Sequence, residues 1–385
     1  MRVAIVGAGI GGLSAALWLQ RIGIDVTIFE QSRQLREIGA GITLGTEACR
    51  LLDAIGLKKA LDALDEPMQH IGTLHYRTAE RLNYERRDVE AYLSSYGTAT
   101  RQVHRADLQA MLHRATGAAG IPLHTGHRLT HLTQDASQVR LTFEHGAEHG
   151  SDLLLACDGL KSVVRDQLFD TEAPRYTGMV AWRGLVHREA VADIDLDPQF
   201  ATVPAEGKLF VRYPVRHGAL INYVAIARKP DATLESWTAR AELNDVLAEF
   251  DGWHDDFRRI IAATDPGRCL QWALRSREPL DTWVSGRVTL LGDAAHPITP
   301  FYGRGAMMAM EDACVLARCF EACGDDWATA LRRYEAARLP RAHQLHAKSL
   351  QRGDAYLSKH EKERVQGPNA GLTEELAYDA LTVPV

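Results

Sequence analysis

Val3-Ala4-Ile5-Val6-Gly7-Ala8-Gly9-Ile10-Gly11-Gly12 is the stretch of sequence that decides the fold. Its first four residues form an uninterrupted apolar run, which predicts a buried parallel strand. The glycines then follow the pattern Gly7-x-Gly9-x-x-Gly12, and an alanine- and leucine-rich helix is expected over about residues 13–22. A second strand over residues 25–29 completes a βαβ unit, which is typical of dinucleotide-binding domains.

An acidic residue, Glu30, ends this second strand. It lies about 20 residues beyond the glycine pattern, where a carboxylate can accept hydrogen bonds from both ribose hydroxyls of an adenosine. The helix N-terminus would hold the pyrophosphate. The alternative is a polar residue that only ends a strand, but the spacing and the three glycines favour ribose binding.

The composition is that of an ordinary globular chain. Of its 385 residues, 46% are hydrophobic and 24% are charged, and the formal net charge is -6. No large basic stripe is visible, so we expect a small-molecule partner and no nucleic acid. The chain shows no signal peptide and no apolar run near the ~20 residues that cross a bilayer. We therefore expect a cytoplasmic protein with no membrane partner.

Six cysteines are scattered without a CxxC pair or a metal-like His/Cys spacing. This pattern predicts reduced thiols, with no zinc site and no disulfide framework.

The rest of the chain alternates between two kinds of strand. Short alternating segments over residues 72–84 and 179–227 indicate antiparallel strands of a second lobe. Apolar runs ending in polar turns at residues 153–159 and 288–293 return the chain to the first lobe. The dinucleotide-binding domain is therefore predicted to be discontinuous, and residues 328–350 to form a helix that packs on the body.

Four blocks together carry a family resemblance. They are Gly7-x-Gly9-x-x-Gly12 with Glu30, His104-Arg105-Ala106-Asp107-Leu108, Asp158-Gly159-x-x-Ser162-x-Val164-Arg165, and Gly292-Asp293-Ala294-Ala295-His296-Pro297. Over nearly its whole length, the sequence resembles class A FAD-dependent aromatic-ring hydroxylases, similar to the salicylate, 3-hydroxybenzoate and 6-hydroxynicotinate monooxygenases.

The resemblance implies an α/β fold with a discontinuous Rossmann-like FAD-binding domain, a β-sheet-based substrate domain and C-terminal helices. We predict that residues 1–72, 102–178 and 281–325 form the FAD-binding domain. Residues 73–101 and 179–280 then form the substrate-binding domain, and residues 326–385 form a C-terminal helical segment.

The same resemblance assigns cofactor roles. Asp158 and Gly159 serve FAD and the nicotinamide cofactor, Arg165 belongs to a helix beside the pyrophosphate, and Arg105 approaches the phosphate-ribityl arm. Asp293 stands at a strand end, where it can accept hydrogen bonds from ribitol hydroxyls, and Gly292 lets the backbone approach the cofactor.

Gly303-Arg304-Gly305-Ala306, followed by a helix, would place backbone N–H groups under the flavin pyrimidine ring, where reduction places negative charge. The family usually has glutamine where Arg304 stands. A fixed cation there would stabilise reduced flavin and shift its potential. The alternative is an arginine turned toward solvent.

The predicted substrate pocket centres on one strand. Period-two alternation over residues 209–213 puts Leu209, Val211 and Tyr213 on one face and Phe210 and Arg212 on the other. By resemblance, Tyr213 contacts substrate, although it could equally be a packing residue. Relatives often have a histidine at the position of Leu209, another near Thr43, and a polar residue at Pro300 or Phe301, so this pocket is expected to be more apolar. Its predicted residues are Thr43, Leu209, Val211, Tyr213, Pro300 and Phe301, of which Tyr213, Pro300 and Phe301 are candidates for the catalytic centre.

The implied function is that of a monooxygenase with tightly, non-covalently bound FAD. NADH or NADPH would reduce FAD, and O2 would then give a C4a-hydroperoxide that hydroxylates a small phenolic, hydroxybenzoate-like or hydroxypyridine-like ring. One alternative is the same chemistry, hydroxylation or epoxidation, on a polycyclic or alicyclic natural product. Another is a non-catalytic flavin carrier or sensor. We expect a monomer or homodimer.

Overall fold

The computed structural model describes residues 1–35, 40–169, 172–230, 239–366 and 378–385. In chain order the strands are β1 (Arg2–Val6), β2 (Asp25–Glu30), β3 (Gly41–Leu44), β4 (His70–Leu74), β5 (Arg81–Arg86), β6 (Arg101–His104), β7 (Leu123–Thr125), β8 (Leu129–Gln134), β9 (Val139–Phe143), β10 (Glu148–Ser151), β11 (Leu153–Ala156), β12 (Arg175–His187), β13 (Phe200–Ala205), β14 (Lys208–Val215), β15 (Leu220–Arg228), β16 (Ala239–Arg240), β17 (Leu270–Ser276), β18 (Val284–Ser285) and β19 (Val288–Leu290).

The α-helices are α1 (Ile10–Arg21), α2 (Thr46–Ala54), α3 (Lys58–Asp62), α4 (Val89–Tyr96), α5 (Arg105–Ala118), α6 (Val163–Leu168), α7 (Leu243–Glu249), α8 (Asp255–Ala262), α9 (Gly305–Cys323), α10 (Trp327–Tyr356) and α11 (Glu361–Gln366). Single 3-10 turns span Arg188–Val191, Gly292–Ala294 and Pro300–Tyr302.

A six-stranded sheet in the order β18-β19-β11-β1-β2-β7 forms the first lobe. Neighbours from β19 to β7 are parallel, and β18 is antiparallel to β19. Helix α1 packs against α5 and α9. The apolar residues of β1 are buried, as is typical of a strand in a parallel sheet. The strands come from three separate parts of the chain, which confirms the discontinuous Rossmann-like domain.

An eight-stranded sheet in the order β16-β17-β12-β15-β14-β13-β4-β5 forms the second lobe. Its pairs are antiparallel except for the parallel pair of β13 and β4. Phe210 packs in a buried cluster on one face, whereas Leu209 and Val211 pack in another cluster with Phe301. The two faces of β14 are therefore those that the alternation predicts.

The C-terminal part runs back over the body, as predicted. Helix α10 packs along α9, and its buried residues include Tyr334, Arg338 and Leu345. The predicted division into domains stays a prediction, and three of its boundaries, 72/73, 101/102 and 178/179, fall within β4, β6 and β12. No helix in the described ranges is both long and apolar enough to cross a membrane.

Candidate active site

In the turn between β1 and α1, the fold itself requires two of the three glycines, and the third leaves space for a ligand. A Cβ added at Gly7, where φ is +102°, would lie 2.3 Å from the carbonyl oxygen of Cys157, and one at Gly12 would lie 2.0 Å from that of Gly7. A Cβ at Gly9 would meet no heavy atom within 4 Å among the described residues. The turn therefore leaves open space at the N-terminus of α1, which suits a cofactor pyrophosphate.

Glu30 ends β2 beside this turn. One carboxylate oxygen accepts a hydrogen bond from the Ala8 amide and the other from the Ser32 amide, both at 2.8 Å. Each carboxylate oxygen has a further lone pair for a ribose hydroxyl. Gln109 of α5 also donates to the Ala8 carbonyl at 3.0 Å. Nothing in the sequence singles out this glutamine.

Asp158 and Gly159 follow β11, the strand next to β1. An oxygen of Asp158 accepts hydrogen bonds from the Val163 amide at 2.8 Å and the Val164 amide at 3.4 Å. Burial raises the pKa of Asp158, and the hydrogen bonds oppose that shift. Gly159 has a φ of +78°, a conformation that favours glycine. The carboxylate therefore fixes the first turn of α6.

Two of the three predicted cofactor arginines, Arg165 and Arg105, lie in different surroundings. Arg165 is 1% exposed and donates to the carbonyls of Ala294 at 3.2 Å, Ala295 at 3.1 Å and Glu278 at 2.9 Å. Burial lowers its pKa to about 10. Arg165 therefore stabilises the Gly292–Ala294 turn through hydrogen bonds to its backbone carbonyls. Arg105 is half-buried at the start of α5.

The Gly292–Ala294 turn meets the N-terminus of α9. Asp293 is exposed, and one of its carboxylate oxygens lies 3.8 Å from the place of a Cβ on Gly305. Gly292 has a φ of +64°, and its amide donates to Asp312 of α9 at 3.1 Å. The structure therefore brings the Gly292-Asp293 pair and the Gly303–Ala306 segment, predicted as two parts of one flavin site, next to each other.

Asp312 belongs to a buried ionic network that sequence reasoning missed. His296 Nε2 lies 2.5 Å from one oxygen of Asp312, and Arg338 Nε donates to the other at 2.7 Å. Arg341 makes two bonds of 3.1 Å with Glu311. Burial raises the pKa of Asp312, but His296 and Arg338 outweigh it and lower that pKa to about 2. The available signal in the sequence was the pair of adjacent acids, Glu311 and Asp312, within the largely apolar helix α9.

Arg304 precedes α9 and is only 9% exposed. Its guanidinium forms an ion pair with Glu47, in the first turn of α2. Burial lowers the Arg304 pKa to about 10. The structure thus shows the arginine turned inward, and the missed residue Glu47 offsets its charge.

The predicted substrate residues fall into two adjoining groups. Leu209, Val211 and Phe301 share one apolar cluster, which also contains Ala181, Ile226, Trp272, Leu274, Tyr356 and Leu357. Tyr213 is buried, stacks on Phe200 at 5.4 Å between ring centroids, and forms a hydrogen bond with Thr43. Pro300 is exposed and directly precedes Phe301.

A cation that was not among the predicted site residues lies at this face. Arg183 is half-buried on β12, and its guanidinium carbon is 4.1 Å from the centroid of the Trp272 ring. Arg183 pairs with Val224, which pairs in turn with Val211. Burial raises the pKa of Tyr213, and the positive charge of Arg183 opposes that shift. In the sequence, Arg183 could have been found within the segment Ala181-Trp182-Arg183-Gly184.

Together, the parallel sheet, the open glycine turn and the Gly292-Asp293 pair at a helix N-terminus define a dinucleotide-dependent flavoprotein. The chain belongs to the FAD binding domain family, whose model matches residues 1–349. It is an FAD-dependent monooxygenase. No group of three or more His, Cys, Asp or Glu side chains suited to a metal occurs in the described part of the chain.

Named relatives cover nearly the whole chain. It is 32% identical over 374 residues to the 3-amino-4-hydroxybenzoate 2-monooxygenase PtnB3 of Streptomyces platensis, covering 97% of this chain and 91% of that one. It is 32% identical to the 3-hydroxybenzoate 6-hydroxylase of Klebsiella oxytoca, covering 92% and 89%. The crystal structure of Klebsiella pneumoniae HpxO with FAD and uric acid matches with 31% identity and a TM-score of 0.82, covering 94% and 90%.

Proposed function

We propose that this monooxygenase hydroxylates a small aromatic acid, with NADH or NADPH as the electron donor. The observation that carries the proposal is Arg183, a half-buried cation on an otherwise apolar face of the substrate sheet. A guanidinium beside apolar side chains suits a ring that bears a carboxylate. The two relatives named as an aminohydroxybenzoate monooxygenase and a hydroxybenzoate hydroxylase support the same class of substrate.

Each part of the site has a distinct task. FAD, when bound, accepts electrons from the nicotinamide cofactor and activates O2. Leu209, Val211 and Phe301 exclude water from the ring that reacts. Because burial raises the pKa of Tyr213, its hydroxyl keeps the proton and serves as a hydrogen-bond donor or acceptor rather than as a base. A cytoplasmic location and a monomeric or homodimeric state stay predictions.

The test uses the purified holoprotein and measures NADH and NADPH oxidation with a panel of compounds. Hydroxybenzoates are compared with the matching hydroxybenzamides, hydroxypyridines and polycyclic phenols, and products are identified by mass. We expect acids to stimulate oxidation and to gain one oxygen atom. Equal stimulation by the amides would contradict the proposal that the substrate is an acid. Stimulation by none of these compounds would contradict the proposal that the substrate is aromatic.

Arg183→Gln sharpens this test. We expect KM for the acid to rise about tenfold or more, because a charge-assisted hydrogen bond contributes roughly 1.5–3 kcal/mol. The amide, which has no charge to pair, should lose much less. Arg175→Gln is the matched control, because Arg175 is an exposed residue of the same strand that pairs with Glu172.

A further inference from the structure

One buried ion pair joins the two segments that approach the predicted flavin pyrimidine site. Arg304 is the N-cap residue of α9, and Glu47 lies in the first turn of α2. Each of the two residues is 9% exposed. The Gly45 amide, at the start of α2, also donates to the sulfur of Met307 at 3.1 Å, so the two helix N-termini are in contact.

This arrangement concentrates positive charge, which Glu47 offsets. Helix N-termini carry partial positive charge, and two of them meet here. The guanidinium of Arg304 adds a full charge, on which Glu311, Arg341 and Arg352 also act. Glu47 is the acid in direct contact with the guanidinium. Without its carboxylate, the guanidinium would lose the counter-charge that contacts it.

The position of the pair matters because reduction adds negative charge to the pyrimidine end of a flavin. Buried charges act there with little screening by solvent. A nearby cation favours reduced flavin, and a neutralised cation favours it less.

We propose that Glu47 sets the reduction potential of the bound FAD by neutralising Arg304. The proposal rests on FAD binding at the site described above. It assigns Glu47 a tuning role that acts through Arg304 and does not require contact with substrate.

Three variants form a double-mutant cycle: Glu47→Gln, Arg304→Gln and the two combined. The potential is measured anaerobically against a reference dye, without substrate or nicotinamide cofactor. Glu47→Gln should favour reduced FAD at least tenfold, which is about 30 mV for a two-electron couple. Arg304→Gln should shift the equilibrium the opposite way, because it leaves a buried carboxylate unpaired. The double variant should return to within about threefold of the wild-type equilibrium.

Glu249→Gln is the control for loss of one negative charge. Glu249 pairs with Lys208 at 3.0 Å and Lys229 at 2.8 Å, in the substrate lobe, and its loss should leave the potential unchanged. A potential that is unchanged or lower in Glu47→Gln overturns the proposal. If that variant does not fold, Glu47→Asp, which draws the carboxylate back from Arg304, is judged by the same criterion. Wild-type protein that cannot take up FAD would instead overturn the proposed function.

Discussion

Gly9 is the residue at which cofactor binding and folding can be separated by mutation. Its φ of −72° suits any residue, and a Cβ added there would meet no heavy atom within 4 Å among the described residues. Gly9→Asp keeps a good N-cap for α1 but places a charge where the pyrophosphate is predicted to lie. We expect FAD affinity to fall at least a hundredfold while the melting temperature of the FAD-free protein changes little, as checked by flavin fluorescence and thermal unfolding.

The contrasting variant at this turn is Gly12→Ala. Its methyl group would lie 2.0 Å from the Gly7 carbonyl oxygen, so the turn itself must move. Both FAD binding and the stability of the FAD-free protein should decrease. Retention of stoichiometric FAD by Gly9→Asp would contradict the prediction that the glycine turn binds the FAD pyrophosphate.

Tyr213 is the residue that tests the position of the substrate face. Tyr213→Phe removes a hydroxyl that bonds to Thr43 and that we predict to reach substrate. We expect FAD to stay bound and kcat/KM to fall roughly tenfold, the size of one hydrogen bond of about 1–1.5 kcal/mol. Uncoupled NAD(P)H oxidation should rise as well, and peroxide release measures it.

Tyr223→Phe is the matched control for that substitution. Tyr223 is another buried tyrosine of the same sheet, and it stacks on Phe210 on the opposite face. Its hydroxyl bonds to Thr264 at 2.8 Å, so its loss should affect stability and leave kcat/KM unchanged. Wild-type kinetics in Tyr213→Phe would mean that the substrate lies elsewhere.

At the scale of elements, the contact between α9 and α10 makes the Gly292–Ala294 turn sensitive to acid, because the Gly292 amide donates to Asp312. The pKa of Asp312 is about 2, below its usual 3.8, because His296 and Arg338 outweigh the opposing effect of burial. A folded-state pKa below the unfolded one stabilises the protein above the unfolded value, and this stabilisation is lost as the pH falls through the folded value. The loss therefore falls between about pH 4 and pH 2.

Asp312→Asn removes that titration. It removes the charged partner of His296 and one of the two acids that pair with Arg338, which keeps Glu311 at 2.7 Å, so we expect a loss of roughly 1.5–3 kcal/mol at pH 7 and weaker binding of FAD. Its unfolding free energy should also depend less on pH between 4 and 2 than that of the wild type. Asp354→Asn, an exposed change on α10, should follow the wild-type pH curve. An unaltered curve in Asp312→Asn would refute the assignment.

At the scale of the whole molecule, local sequence patterns predicted the strands and turns that position the site. Strands β1, β11 and β19 are largely apolar runs that end in turns containing glycine, and these features are encoded in adjacent residues. The face of β14 with Leu209 and Val211 followed from its period of two. Their meeting with Phe301, which is distant in sequence, came from the resemblance.

Local sequence patterns could not predict the ion-pair partners of Arg304 and Asp312. Glu47 meets Arg304, and Asp312 meets His296 and Arg338, only because helices from different parts of the chain pack side by side. Neither spacing nor composition encodes such contacts, since they depend on how α2, α9 and α10 are arranged. The cation Arg183 was visible in sequence, but its place over Trp272 required the pairing of β12 with β17.

The discontinuous sheet has a consequence for the protein's synthesis. Domains fold as units while the chain emerges from the ribosome. Here β19, which lies between β18 and β11, completes the first sheet only at residues 288–290, and the Gly292-Asp293 turn and α9 follow later still. A nascent chain therefore displays the glycine turn long before it can retain FAD, and cofactor capture belongs to the last quarter of translation or to the time after release.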